Sequence, residues 1–163
     1  MSRFDPNLYH RHSIRQPGYD YSRVGVYAIT IVAHGRECLF GEVVNMEMNL
    51  SRCGQIVQAA WFDLPKHYPH VELDVFRVIP EHAHGIVILN GADATERQPL
   101  SEIMRALKSF SAKRINTLRN TPGTPVWQRN YYEHIIRDNA DYLAQSAYIR
   151  DNPVNWAQDV EDW

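Results

Sequence analysis

The sequence has few cysteines and no long apolar run. Cys38 and Cys53 are the only cysteines among 163 residues, too few and too far apart for a disulfide scaffold or a zinc ribbon, and typical of a reducing compartment. The longest apolar run, near residues 24–33, is well short of the ~20 residues that span a bilayer. The first residues lack the apolar segment of a signal peptide. These absences predict a soluble cytoplasmic protein without a membrane partner.

The sequence also lacks a net excess of charge. The formal charge is −2 at pH 7, so the total charge does not mark a nucleic-acid-binding protein, and its distribution is more informative. Residues 105–119 contain no acidic residue. The basic side chains proposed to contact DNA phosphates in this segment are Arg105, Lys108, Lys113 and Arg114. A solvated helix face would produce the same pattern, so both interpretations remain open here.

The pattern of apolar residues predicts one folded domain. Residues 1–23 are polar and predict an N-terminal arm, and residues 24–163 predict a single folded domain, with 44% hydrophobic residues overall. Strands are predicted at 24–34, 38–44, 70–79, 85–89 and 126–136. Helices are predicted at 49–67, capped by Asn49 and ended by Pro65, at 99–118, and at 138–151, stopped by Pro153. Such a mixture favours an α+β sandwich with helices on a mostly antiparallel sheet.

Two histidines in the segment 78–86 are the most informative feature of the chain. His82 and His84 are two residues apart in a predicted strand, so their side chains point to the same face of the sheet. Two imidazoles can share one cation, but a catalytic metal needs a further ligand. Glu81 is expected on the opposite face. The missing ligand is therefore expected to come from elsewhere in the chain.

A tyrosine near the C-terminus provides a candidate nucleophile. Tyr148 and Asn152 are four residues apart in a predicted helix and would share one face. The amide oxygen of Asn152 suits Mg²⁺ or Mn²⁺, and the carboxylate of Asp151 is a competing donor that the spacing barely separates from it. A phenol becomes an effective nucleophile when a metal neutralises the phosphate it attacks. Tyr131 and Tyr132 are rival tyrosines, although their neighbours suggest packing or base stacking.

Several segments together resemble the single-tyrosine HUH transposases of bacteria, particularly the REP-associated tyrosine transposases. His-x-His alone is a weak motif, but the ordered set is specific and covers nearly the whole chain. The matching segments are 10–15, 18–21, 38–42, 78–86, 107–110, 114–116, 126–137 and 148–153.

This resemblance implies a ferredoxin-like core and assigns roles to residues. His82 and His84 would be the histidines of the HUH motif, Tyr148 the nucleophile, and Asn152 the residue that completes the Mg²⁺ or Mn²⁺ site. One position departs from the family pattern, since Ala83 stands where a bulky hydrophobic residue is usual. A smaller side chain there is expected to loosen the packing beneath the site while leaving both imidazoles in place.

The function implied is a metal-dependent DNA strand transferase that cleaves and rejoins single-stranded or hairpin DNA through a 5′-phosphotyrosine linkage. Two alternatives remain from the sequence: a DNA-binding protein that does not cleave, and a metal-dependent nuclease that uses water. The sequence leaves the choice between a monomer and a homodimer open.

Overall fold

The computed structural model describes residues 25–90 and 99–161, with the side chains of these residues up to 156. The predicted arm, residues 1–23, lies outside the described residues. The strands are β1 (Gly25–Val32), β2 (Gly41–Val44), β3 (Glu47–Leu50), β4 (Val71–Ile79), β5 (His82–Leu89) and β6 (Tyr132–Ile135). The helices are α1 (Arg52–His67), α2 (Leu100–Arg119), α3 (Asn139–Arg150) and α4 (Asn152–Glu161). No helix of this described part is long and apolar enough to cross a membrane.

The main sheet has the strand order of a ferredoxin-like fold. Its four strands follow the order β4-β5-β1-β6, and every neighbouring pair is antiparallel. Strands β1 and β4 therefore run parallel with β5 between them, and α1 lies in their connection; β5 and β6 are likewise linked through α2. Right-handed crossovers put both helices on the same face of the sheet. The predicted α+β sandwich with a mostly antiparallel sheet is confirmed.

The sheet face covered by α1 and α2 holds the larger core. Ile29 and Ile31 of β1 and Ala83 of β5 contribute to it, together with Trp61 of α1, which stacks on Phe76 with ring centroids 4.3 Å apart. Gly85 of β5 lies against this stack, since a Cβ there would be 2.8 Å from the Phe76 ring and from the Val75 carbonyl oxygen. Ala83 is fully buried in this core, on the face of β5 opposite the two histidines.

The opposite face of the sheet is covered by α3. Tyr142 and Ile149 of this helix pack against apolar residues of β1 and β5, including Val26 and Ile86. The buried Tyr142 hydroxyl donates a hydrogen bond to the carboxylate of Asp74, which lies at the irregularity in β4 between Leu73 and Phe76. This polar contact inside an apolar layer restricts how α3 can sit on the sheet.

The start of α1 differs from the prediction. Asn49 lies in β3, not at a helix cap, because β2 and β3 form a hairpin with Asn45 and Met46 at positive φ in its two-residue turn. The cap is Ser51, whose Oγ accepts from the Gly54 N–H at 3.1 Å. A short strand pair therefore occupies part of the chain that the spacing of apolar residues assigned to the helix.

Of the two prolines predicted to end helices, Pro65 lies inside the helix it was expected to end, whereas α3 ends at Arg150, before Pro153, as predicted. Pro65 is in the last turn of α1, which continues to His67, because the only backbone bond lost there is the one to the carbonyl of Trp61. Pro153 lies in the first turn of α4, where its missing N–H would have had no partner within the helix. The predicted strand 126–136 is shorter than expected: β6 pairs with β1 at the sheet edge, and Trp127 forms an isolated bridge with Ala33.

Candidate active site

A row of side chains crosses the sheet on the face that α3 covers. The register pairs Arg77 with His84, His84 with Thr30, and Thr30 with Tyr132, so these residues come from all four strands. Directly paired residues on neighbouring strands present their side chains to the same face. His84 and Thr30, on the two central strands, are therefore the inner members of a polar row that extends to both sheet edges.

His82 and His84 lie on this face, as the two-residue spacing predicts. Their ring centroids are 5.1 Å apart and the rings are nearly perpendicular. The His84 residue is 2% exposed and the His82 side chain is 16% exposed. One imidazole is thus enclosed and the other reaches the rim of the site.

Burial keeps both imidazoles uncharged at neutral pH. It lowers the pKa of His82 to about 4, with the positive charge of Arg36 acting in the same direction. It lowers the pKa of His84 to about 3, where His82 and Arg77 add to the effect. A neutral imidazole retains the lone pair that a metal ligand requires.

Asn152 is buried beside His84. It is 7% exposed, and its amide Nδ2 is 3.4 Å from His84 Nδ1. A half-turn of the amide exchanges its nitrogen and oxygen, so the oxygen can take the position that faces His84. Two ligand atoms that each lie ~2.1 Å from one ion, at a right angle, are about 3 Å apart, which is close to the observed separation. The donor set therefore fits a divalent cation of the Mg²⁺ or Mn²⁺ class.

The described residues contain no cluster of three His, Cys, Asp or Glu side chains suited to a metal. Glu81 was expected on the face opposite the histidines, which is wrong: it lies in the turn before β5, where strand alternation does not apply. Its Oε1 is 4.0 Å from His82 Nδ1 and 3.2 Å from Arg36 Nη1. Asp151, the rival donor, is exposed, whereas Asn152 is buried against His84.

Tyr148 lies beside His84. Its ring centroid is 5.9 Å from that of His84, in an edge-to-face arrangement, and the residue is 59% exposed. A ligand can therefore reach its phenol without displacing the core. Tyr131 packs against the main core, and Tyr132 is reached from His84 only across Thr30.

Tyr148 and Asn152 do not share one helix, contrary to the prediction. Helix α3 ends at Arg150, Asp151 has non-helical angles, and Asn152 is the first residue of α4. The Asp151 carbonyl accepts from the N–H groups of Val154 and Asn155, both at 3.1 Å. The change of direction between the two helices, and not helical spacing, brings Asn152 to His84.

The basic helix lies on the other side of the sheet. Buried residues of α2, such as Ile103 and Leu107, belong to the core opposite α3. Arg105 binds Glu102, with Nε 2.9 Å from Oε2, and Arg114 approaches Asp63 at 3.5 Å.

Lys108 and Lys113 of this helix differ in their surroundings. Lys108 donates to the backbone carbonyl of Gln128 at 2.8 Å and to that of Asn130, whereas Lys113 is exposed. Contacts of Arg105, Lys108, Lys113 and Arg114 with DNA remain a prediction.

Arg77 and Trp156 are residues of this region that the sequence did not indicate. Arg77 Nε is buried without a hydrogen-bond partner among the residues described, and the Trp156 ring lies 6.3 Å from that of His82. Strand alternation predicts that Arg77 shares a face of β4 with Ile79. The pairing of β4 with β5 that puts Arg77 beside His84 cannot be predicted from the spacing of residues in the sequence. Trp156 lies in α4, and the turn between α3 and α4 brings it to the site.

Comparison with known proteins gives consistent relatives. No family model matches the sequence. The chain is 35% identical to an uncharacterized protein of Haemophilus influenzae over 97% of this chain and 96% of that protein. It is 32% identical to the REP-associated tyrosine transposase of Escherichia coli over 56% of this chain and 51% of that protein. Among solved structures it is similar to a REP-associated tyrosine transposase bound to a REP hairpin, with a TM-score of 0.60, 25% identity and coverage of 100% of this chain and 80% of the other.

Proposed function

Because the chain belongs to the family of REP-associated tyrosine transposases, we propose that it cleaves and rejoins DNA strands with Tyr148 as the nucleophile. The observation that carries this proposal is the position of the Tyr148 ring, 5.9 Å from the buried, uncharged His84. Its substrate would be single-stranded DNA next to a hairpin, the kind of element bound by the similar solved transposase.

Each residue of the site has a distinct task in this proposal. Tyr148 Oη attacks the phosphorus of a phosphodiester, the bond from phosphorus to the 3′ oxygen breaks, and a 5′-phosphotyrosine linkage forms. The phenol loses its proton, and the released 3′ oxygen gains one to become a hydroxyl. Attack by a 3′-hydroxyl on the linkage reverses the step, so rejoining needs no separate energy source.

His82, His84 and Asn152 would hold one Mg²⁺ or Mn²⁺ ion. When bound, this ion supplies positive charge that polarises the scissile phosphate. The burial of His84 and Asn152 fixes their side chains before any ligand arrives. Burial also keeps the imidazoles neutral, so binding a cation requires no proton release from them at pH 7.

Arg77 is suited to hold the substrate phosphate in this arrangement. Its guanidinium belongs to the same cross-sheet row as His84, and its Nε lacks a hydrogen-bond partner within the described ranges. Besides the buried Nε, a guanidinium carries two further nitrogens whose N–H groups can donate to a phosphate oxygen. Replacing Arg77 with Lys keeps the charge but removes the planar pair of donors, so it should slow cleavage while metal binding persists.

Tyr148→Phe is the decisive test. The substitution removes one oxygen from a ring that is 59% exposed, so folding and DNA binding should persist while cleavage and the covalent adduct disappear. The measurement is a denaturing gel of end-labelled hairpin oligonucleotides with single-stranded flanks, with Mn²⁺ or Mg²⁺. Tyr131→Phe and Tyr132→Phe are matched controls that should retain the adduct.

Other outcomes of this assay would replace the proposal. An adduct that survives Tyr148→Phe but disappears in one control would relocate the nucleophile. Cleavage by the wild-type protein without an adduct would indicate a nuclease that uses water. Binding without cleavage by the wild-type protein would indicate a DNA-binding protein that has kept only the fold.

A further inference from the structure

A pocket of about 120 Å³ lies between the edge strand β6 and helix α3. It opens next to the proposed site, because Tyr148 and His84 form part of its wall. On the side away from the histidines, its wall includes Tyr132 of β6, which is 62% exposed. The pocket is therefore flanked by two tyrosine rings that solvent, or a ligand, can reach.

The remaining wall of the pocket combines apolar and hydrogen-bonding groups. Apolar surface comes from Ala28, Ile29 and Ile149, polar side chains from Thr30, His134 and Gln145, and one acidic side chain from Glu133. His134 is held in place from behind, since its Nε2 is 2.8 and 2.9 Å from the two carboxylate oxygens of Asp141 near the start of α3. This cleft is well below the ~300 Å³ of a site for a drug-sized ligand. Its aromatic sides and few polar groups suit a single flat heteroaromatic ring, which can stack on an exposed aromatic side chain.

We propose that this pocket binds one unpaired nucleobase of the DNA strand, next to the phosphate that Tyr148 attacks. The inference rests on the proposed function, because the site places a phosphate beside Tyr148 and hence a neighbouring base within reach of the pocket. Tyr132 provides a face on which the base stacks, and Gln145 and Thr30 provide donors and acceptors for its edge. Stacking on an exposed aromatic ring accepts any base, whereas side-chain amides discriminate among base edges.

Binding in the presence of a chelator tests the pocket independently of the chemistry. The probes are a fluorescent oligothymidylate about twelve nucleotides long and an oligomer of equal length whose sugars carry no bases. Wild-type protein should bind the first more tightly. Tyr132→Ala should weaken binding of oligothymidylate roughly five- to one-hundred-fold, the range for losing one base–aromatic stack, and leave the abasic oligomer unaffected.

Two further variants connect the effect to the pocket. Gln145→Phe adds a ring to the pocket wall and should reduce binding of oligothymidylate without reducing binding of the abasic oligomer. Phe62→Ala is the matched control, since Phe62 is an exposed aromatic residue on α1, and it should change neither affinity. Thermal melting of each variant should match the wild-type protein.

Equal affinity of the wild-type protein for both oligomers would overturn the proposal. So would an equal loss of both affinities in Tyr132→Ala, which would assign Tyr132 to phosphate binding or to folding. These assays contain no metal and require no cleavage. If Tyr148→Phe kept the covalent adduct while Tyr132→Ala lost only base-dependent binding, the nucleophile would be wrong and the pocket right. If Tyr148→Phe lost the adduct while Tyr132→Ala bound both oligomers as the wild-type protein does, the nucleophile would be right and the pocket wrong.

Discussion

Tyr142→Phe tests how α3, the helix that carries Tyr148, is fixed on the sheet. Tyr142 is fully buried and donates to the carboxylate of Asp74, which is 6% exposed. The substitution keeps the ring in the core and removes only the donor. Asp74 retains the Val75 N–H at 2.7 Å but loses a hydrogen bond inside an apolar layer.

The expected magnitude follows from that environment. A hydrogen bond to a charged group contributes about 1.5–3 kcal/mol, and no ring-sized cavity forms, so the free energy of unfolding should fall by about 2 kcal/mol. For a domain of this size that loss lowers Tm by roughly 4–8 °C. Amide hydrogen exchange in α3 should accelerate more than exchange in α1 and α2, because α3 is the helix that loses its contact with β4.

Urea denaturation followed by circular dichroism measures this change, with Tyr132→Phe as a matched control. The control removes a hydroxyl from a side chain that is 62% exposed, so its effect should stay within about 0.5 kcal/mol. If Tyr142→Phe were equally mild, the buried contact with Asp74 would not stabilise the docking of α3. A double-mutant cycle with Asp74→Asn then separates the pair from its surroundings.

Three further predictions follow from the site and from α2. With a chelator present, the free energy of unfolding should fall as the pH drops from about 7 towards about 4, because histidines in the unfolded chain (pKa ~6.5) take up protons that buried His82 and His84 do not. Thermal melts across this pH range should show a weaker dependence for His84→Leu. An unchanged dependence in that variant would contradict the prediction. Asn152→Ala should weaken Mn²⁺ binding about ten- to one-hundred-fold by calorimetry, whereas Asn152→Asp, which keeps an oxygen, should retain it; equal effects would remove Asn152 from the metal. Lys113→Gln should reduce the salt dependence of DNA affinity by about one phosphate contact, and an unchanged salt slope would mean that this part of α2 is only solvated. Lys108→Gln should instead lower Tm, because it breaks hydrogen bonds to two backbone carbonyls.

Features that depend on local periodicity can be predicted from the sequence. A spacing of two in a strand puts His82 and His84 on one face, and the alternation of β1 separates the two cores, with Ile29 and Ile31 on one side and Val26 and Ala28 on the other. The fold class followed from the same periods, because strand and helix patterns repeat within a few residues.

The way distant segments meet could be read only from the folded protein. The register of β4, β5, β1 and β6 places Arg77, Thr30 and Tyr132 in one row with His84, and no local pattern encodes a pairing between strands far apart in sequence. The break between α3 and α4 brings Asn152 to His84, although helical spacing predicted a single helix. Residues 105–119 contain no acidic residue, but Arg114 of this segment forms an ion pair with Asp63 of α1. Periodicity is a property of neighbours along the chain, whereas register, helix docking and ion pairing depend on which surfaces pack together.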